Sequence, residues 1–128
     1  MPFQQTVTNV PDMDFNCDPA LLDSRLAVYG ELAPGKSVHY QIERLRGIWV
    51  AGMVRGRLTE SWTGFPALII DPRAQAISVD VLFSPDLPSY WPMLDVYEGF
   101  GYRRVSAPVE TVSGACAAFI YEAAPAKA

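Results

Sequence analysis

Gly47-Ile-Trp-Val-Ala-Gly-Met-Val-Arg-Gly-Arg-Leu58 reads as one long β-strand, and its glycines decide what sheet it joins. Ile, Val and Trp fit a pleated, half-buried surface. Glycine inside such a run marks a bend or a bulge. A long strand that bends suits a sheet curled into a small barrel, and the flanking segments supply the other walls.

Upstream, Arg25-Leu-Ala-Val-Tyr-Gly30 has strand composition and ends on glycine. Glu31–Lys36 is a loop, and Ser37 caps a short helix running to about Arg46. Val38, Ile42 and Leu45 give that helix its i, i+4, i+7 face. Downstream, Ser61–Gly64 is a turn, Pro66–Asp71 a short buried strand, and Ile77–Phe83 another. Arg104–Glu110 and Ala115–Tyr121 form a hairpin pair around Val112-Ser-Gly114, with Pro108 marking an edge or a bulge. Six strands and two short helices predict an α+β domain, a small and mostly antiparallel β-barrel flanked by short helices. Residues 1–24 read as an N-terminal extension draped over the domain, anchored by Leu21 and Leu22; residues 25–122 are the domain and 123–128 a frayed tail.

The chain has 128 residues, enough for one hydrophobic core without staples. Its net charge of −4 argues against a sequence-independent grip on nucleic acid. The start, Met1-Pro-Phe-Gln-Gln5, shows no signal-peptide pattern. No apolar run approaches the roughly 18 residues of a membrane span. Cys17 and Cys116 lie far apart with no CxxC, which predicts two free thiols and a cytoplasmic setting. With only His39 beside them there is no zinc-ligand set, so any catalysis is expected to be metal-free.

Ser89-Tyr-Trp-Pro-Met-Leu-Asp-Val-Tyr-Glu-Gly99 opens on an N-cap residue and closes on a helix-ending glycine. At about 100° per residue, Trp91, Leu94 and Glu98 fall on one stripe, with Tyr90 and Tyr97 beside it. A carboxyl on that stripe loses hydration, which raises its pKa. The negative end of the helix dipole pushes the same way. Glu98 therefore suits proton transfer near neutrality. The bland alternative is an ion pair with Arg103 or Arg104 in a bare scaffold. Asp95 reads as a solvated neighbour, His39 as an exposed side chain, and Trp49, Trp62 and Trp91 as core or rim aromatics. Arg104 fits either an orienting role or a surface one. Tyr29-Gly-Glu-Leu32 with Pro34-Gly35 puts a strand end and a glycine turn together, a place where backbone amides can converge on an oxyanion.

Taken in order, these pieces resemble the gamma-glutamylcyclotransferase-like (AIG2-like) family. Tyr29-Gly-Glu-Leu32 is similar to its YGxL loop. Leu94-Asp-Val-Tyr-Glu-Gly99 with Tyr102 and Arg104 is similar to its LDxxEG…YxR segment, and Ala118-Phe-Ile-Tyr121 to its closing strand. Gly64-Phe-Pro-Ala67 also fits, and the likeness spans roughly residues 25–122. The resemblance implies a cavity beside the YGxL loop and a small-molecule γ-glutamyl substrate. It implies a reaction in which the substrate's α-amine attacks its own γ-carbonyl, releasing 5-oxoproline and a free amine. Glu98 would be the general acid/base; Gly30, Glu31 and Leu32 would bind substrate through their amides; Tyr29, Tyr102 and Tyr121 would form hydrogen-bonding walls. Two residues depart from the pattern: Glu31 where members often carry Ser, Thr or Asn, and Asp80 where they often carry glycine. Both favour the alternative of a non-catalytic small-molecule-binding member of the same fold.

Overall fold

One strand serves four partners in succession, and the sheet closes around it. In the computed structural model, which describes residues 5–8, 17–29, 44–60, 66–112 and 114–124, β3 (Gly47–Glu60) pairs with β1 (Gln5–Thr8), β5 (Ala76–Phe83), β6 (Tyr102–Thr111) and β4 (Pro66–Ile70). The remaining strands are β2 (Arg25–Val28) and β7 (Gly114–Ala123), and the single α-helix among the described residues is α1 (Leu87–Glu98). The path β3-β5-β2-β7-β6 returns to β3, a closed five-stranded barrel with β1 and β4 added on β3.

The closing seam is short. Gly52 faces Thr111 and Met53 faces Glu110. A Cβ at Gly52 would lie 2.8 Å from Val109 Cγ1 and 2.9 Å from the Glu110 carbonyl oxygen, so the seam needs a residue without a side chain.

Strand alternation sorts the core into two clusters. Ala27, Val50, Val81, Phe83, Val109 and Ile120 are among those filling the barrel. Leu26, Val28, Trp49, Leu82 and Tyr121 point the other way and receive Leu87, Trp91 and Leu94 of α1. β2 is therefore buried on both faces. The Trp91 indole N–H donates to the Asp23 carbonyl at 2.8 Å, which fixes α1 against the 3₁₀ turn Pro19–Ser24.

The mostly antiparallel barrel expected from the sequence is what forms, with one parallel pair, β2 with β7, where Leu26 lies beside Phe119 and Ala27 beside Ile120. Other expectations change. The N-terminal segment adds strand β1, while Leu21 stays exposed and Leu22 is half-buried. α1 begins at Leu87, with Asp86 rather than Ser89 as N-cap; Ser89 Oγ instead donates to the Asp86 carbonyl. Arg44–Arg46 is a turn, and the rest of the helix expected from Ser37, including His39, lies outside the described residues, as do the Ser61–Gly64 turn and Trp62.

The largest correction concerns the thiols. Cys17 and Cys116 form a disulfide across 99 residues of sequence, and no described cysteine is free. Both sulfurs lie against the barrel core, Cys116 within it and Cys17 packed on it. A spacing of that length carries no local signal; only the fold brings the two together.

Candidate active site

Four chain segments converge at one end of the barrel: the end of β2, the last turn of α1, the start of β6 and the end of β7. The sequence stripe on α1 places Leu87, Trp91 and Leu94 inward, and Glu98 continues it one turn later, half-buried. Burial pushes the Glu98 carboxyl up to about 7. Among the described residues no cation pairs with it. Arg103 Nη2 lies 2.8 Å from Glu122 Oε2, and Arg104 Nε lies 3.0 Å from Asp95 Oδ1. Both arginines that might have neutralised Glu98 are committed elsewhere, which removes the ion-pair alternative.

Three tyrosines gather at this end of the barrel. Tyr29 Oη donates to the Tyr121 carbonyl at 2.8 Å and accepts from the Leu68 amide at 3.1 Å. Its one proton is thus given to β7, and the hydroxyl laces β2 to β7 and β4. Burial raises the Tyr29 pKa; the Leu68 amide opposes this, while Tyr102, Glu98 and Glu122 add to it. Tyr121 Oη donates to Asp95 Oδ1 at 2.6 Å. Its pKa is also raised, first by burial, then by Asp95 and by Glu98, against Arg104. Glu98 is therefore close enough to act on both hydroxyls. Tyr102 is half-buried at the start of β6.

Asp95 is exposed, as expected, yet its carboxyl is bonded. Arg104 reaches it with two nitrogens, Nε to Oδ1 at 3.0 Å and Nη2 to Oδ2 at 3.1 Å. Burial alone would raise the Asp95 pKa, but the bonds from Arg104 and Tyr121 outweigh it and hold the carboxyl below its ordinary range. The guanidinium itself lies over the rings of Trp91 and Phe119, 4.4 and 4.7 Å from their centroids. A cavity of about 280 Å³ opens here, lined by Asp95, Tyr102, Arg103, Arg104 and Tyr121. Glu98 is not one of its walls.

Sequence reasoning missed Glu122. It is buried, takes Arg103 on Oε2 and accepts the Ile70 amide on Oε1 at 3.0 Å, tying β4 to the end of β7. The signal was available: a hairpin turning at Val112 puts Glu122 directly opposite Arg103. Asp80 is half-buried on β5 across from Val28, and burial raises its pKa. Gly30, Glu31 and Leu32 lie outside the described residues. The described residues hold no cluster of three or more metal-ligating side chains.

The family model for gamma-glutamyl cyclotransferase, AIG2-like proteins matches residues 26–128, and the chain belongs to that family. Among solved structures it is similar to YkqA from Bacillus subtilis, at 26% identity and a TM-score of 0.62 over 78% of this chain. That match covers 35% of YkqA, so this chain spans about a third of its length. An uncharacterised protein from Pyrococcus horikoshii, PH0828, matches at 24% identity and a TM-score of 0.57, covering 81% of this chain and 80% of its own. An AIG2-like protein from Mus musculus matches at 18% identity and 0.53, covering 81% and 79%. The latter two likenesses concern the fold alone. No curated protein matches the chain. Among the described residues no helix is long and apolar enough to cross a membrane.

Proposed function

We propose that this protein is a cofactor-free γ-glutamyl cyclotransferase in which Glu98 moves the proton. The observation that carries the reading is a half-buried carboxyl, raised to about 7, with no cation to neutralise it among the described residues. Such a group divides its time between acid and base near neutral pH, as a two-step proton shuttle requires. The Glu98 carboxylate takes a proton from the substrate's α-ammonium. The freed amine forms a C–N bond to the γ-carbonyl carbon and gives up a second proton, and the C–N bond to the departing nitrogen breaks as Glu98 passes the protons to it, so both protons shed by the α-ammonium leave on the released amine. The products are 5-oxoproline and a free amine or amino acid.

Because nucleophile and electrophile share one molecule, the protein's task is to fold the glutamyl chain back on itself. Tyr102 and Tyr121 contribute walls beside Glu98, and Tyr29 fixes the end of β2. In this proposal the amides of Gly30, Glu31 and Leu32 hold the substrate or its developing oxyanion. The cytoplasmic setting expected above rested on free thiols and is not proposed, since the Cys17–Cys116 bridge favours an oxidising one.

Purified protein should release 5-oxoproline from a panel of γ-glutamyl amines and γ-glutamyl amino acids. Glu98→Gln, which keeps the shape and removes the proton shuttle, should lower kcat by about 10²–10⁴-fold. Turnover retained in that variant excludes Glu98 as the base. Asp80 favours a second reading, a binding module, because an extra half-buried carboxyl discourages an anionic substrate. Under that reading the panel gives no turnover, yet one of its compounds raises the Tm.

A further inference from the structure

We propose that Asp95, clamped by Arg104 and Tyr121, is the positioning residue that sets where Glu98 sits. The role depends on Glu98 being the proton-transfer group only for its importance to turnover; the positioning itself is measurable without it.

Leu87, Trp91 and Leu94 are the buried residues of α1 and fix the helix axis. Beyond them, Asp95 carries two ties. Its carboxylate receives Arg104 twice and Tyr121 once, and its backbone carbonyl accepts the Gly99 amide that terminates the helix. Glu98 lies between these two attachments, three residues after Asp95 and therefore on a neighbouring part of the helix surface. The clamp is itself packed: the Arg104 guanidinium lies over the Trp91 and Phe119 rings, and Tyr121 is 5% exposed. The titratable and charged groups at this end of the barrel are Tyr29 just after β2, Tyr121 and Glu122 on β7, and Tyr102, Arg103 and Arg104 on β6. None of them bonds the Glu98 carboxyl among the described residues, so its burial depends on the helix end staying in place. At the other end of α1, Asp86 forms a comparable pair with Arg46, 2.8 Å from Oδ1 to Nη2, and serves as an internal control.

The experiment is an NMR titration of the ¹³C-labelled Glu98 carboxyl in the full chain, comparing wild type with Tyr121→Phe, Arg104→Met and Asp86→Asn. Wild type and Asp86→Asn should titrate together. Arg104→Met should lower the midpoint by about one pH unit or more, a tenfold loss in proton affinity, and Tyr121→Phe should lower it in part. The sign is diagnostic. Removing a cation acts through charge alone to raise a carboxyl's pKa, so a fall in Arg104→Met reports a loosened, rehydrated Glu98. An upward or absent shift in Arg104→Met overturns the proposal, as does an equal shift in Asp86→Asn. Should Arg104→Met fail to fold, Tyr121→Phe removes one hydroxyl and no charge, and an unmoved Glu98 there is decisive by itself. No turnover is needed, so the failure of the cyclotransferase reading leaves a distinct result.

Discussion

Glu98 keeps its proton more tightly in the folded chain than in an unfolded one, and that difference is a stability cost with a definite pH window. Between its ordinary value of 4.5 and about 7, the unfolded chain has released a proton that the folded chain still binds. Stability from this group is therefore greatest below the lower value and declines as pH rises through the window. The decline amounts to on the order of 3 kcal/mol, since one pKa unit corresponds to about 1.4 kcal/mol. Urea unfolding at pH 4.5 and pH 7.5 should show it in wild type, and Glu98→Gln should lack that component. A wild type and a variant with parallel pH profiles would place the carboxyl in water. Both the stripe and the direction of the shift were legible, because helical periodicity and desolvation need no tertiary information. The second use of Asp95 was not, because its partners come from strands read separately.

At the scale of elements, β3 shows why a glycine-bearing strand can wall a barrel. Gly52→Ala should destabilise the protein by about 1–3 kcal/mol, the usual cost of overpacking, read as a lower urea midpoint. The added methyl would press on Val109 and the Glu110 carbonyl where β3 meets β6. An unchanged midpoint would mean that the seam yields freely. Strands with their own alternation and turn residues, such as 77–83 and the hairpin about Val112, were readable from local pattern. β1 was not, since Gln5-Thr-Val-Thr8 is too short and polar to stand out and owes its conformation to β3. The parallel neighbourhood of β2 and β7 was equally hidden. Its partners lie more than ninety residues apart, and no turn announces the pairing. For the same reason the closing of β4 onto β7, made by Tyr29 and Glu122 side chains, emerges only in three dimensions.

For the whole molecule, the sulfur bridge joins the N-terminal segment to the strand that carries Tyr121 and Glu122 at its far end. Cys17→Ser should lower the free energy of unfolding by about 2–4 kcal/mol, and strong reductant should bring wild type to the same value. A thiol reagent should find no reactive sulfur until the protein is denatured and reduced. The bridge also turns the chain into a ring with two tails, residues 17 to 116 forming the circumference. A protease that cuts once anywhere on that circumference opens the ring without parting it. The two pieces would travel as one covalent body on a gel, and would separate only after the sulfur link is broken.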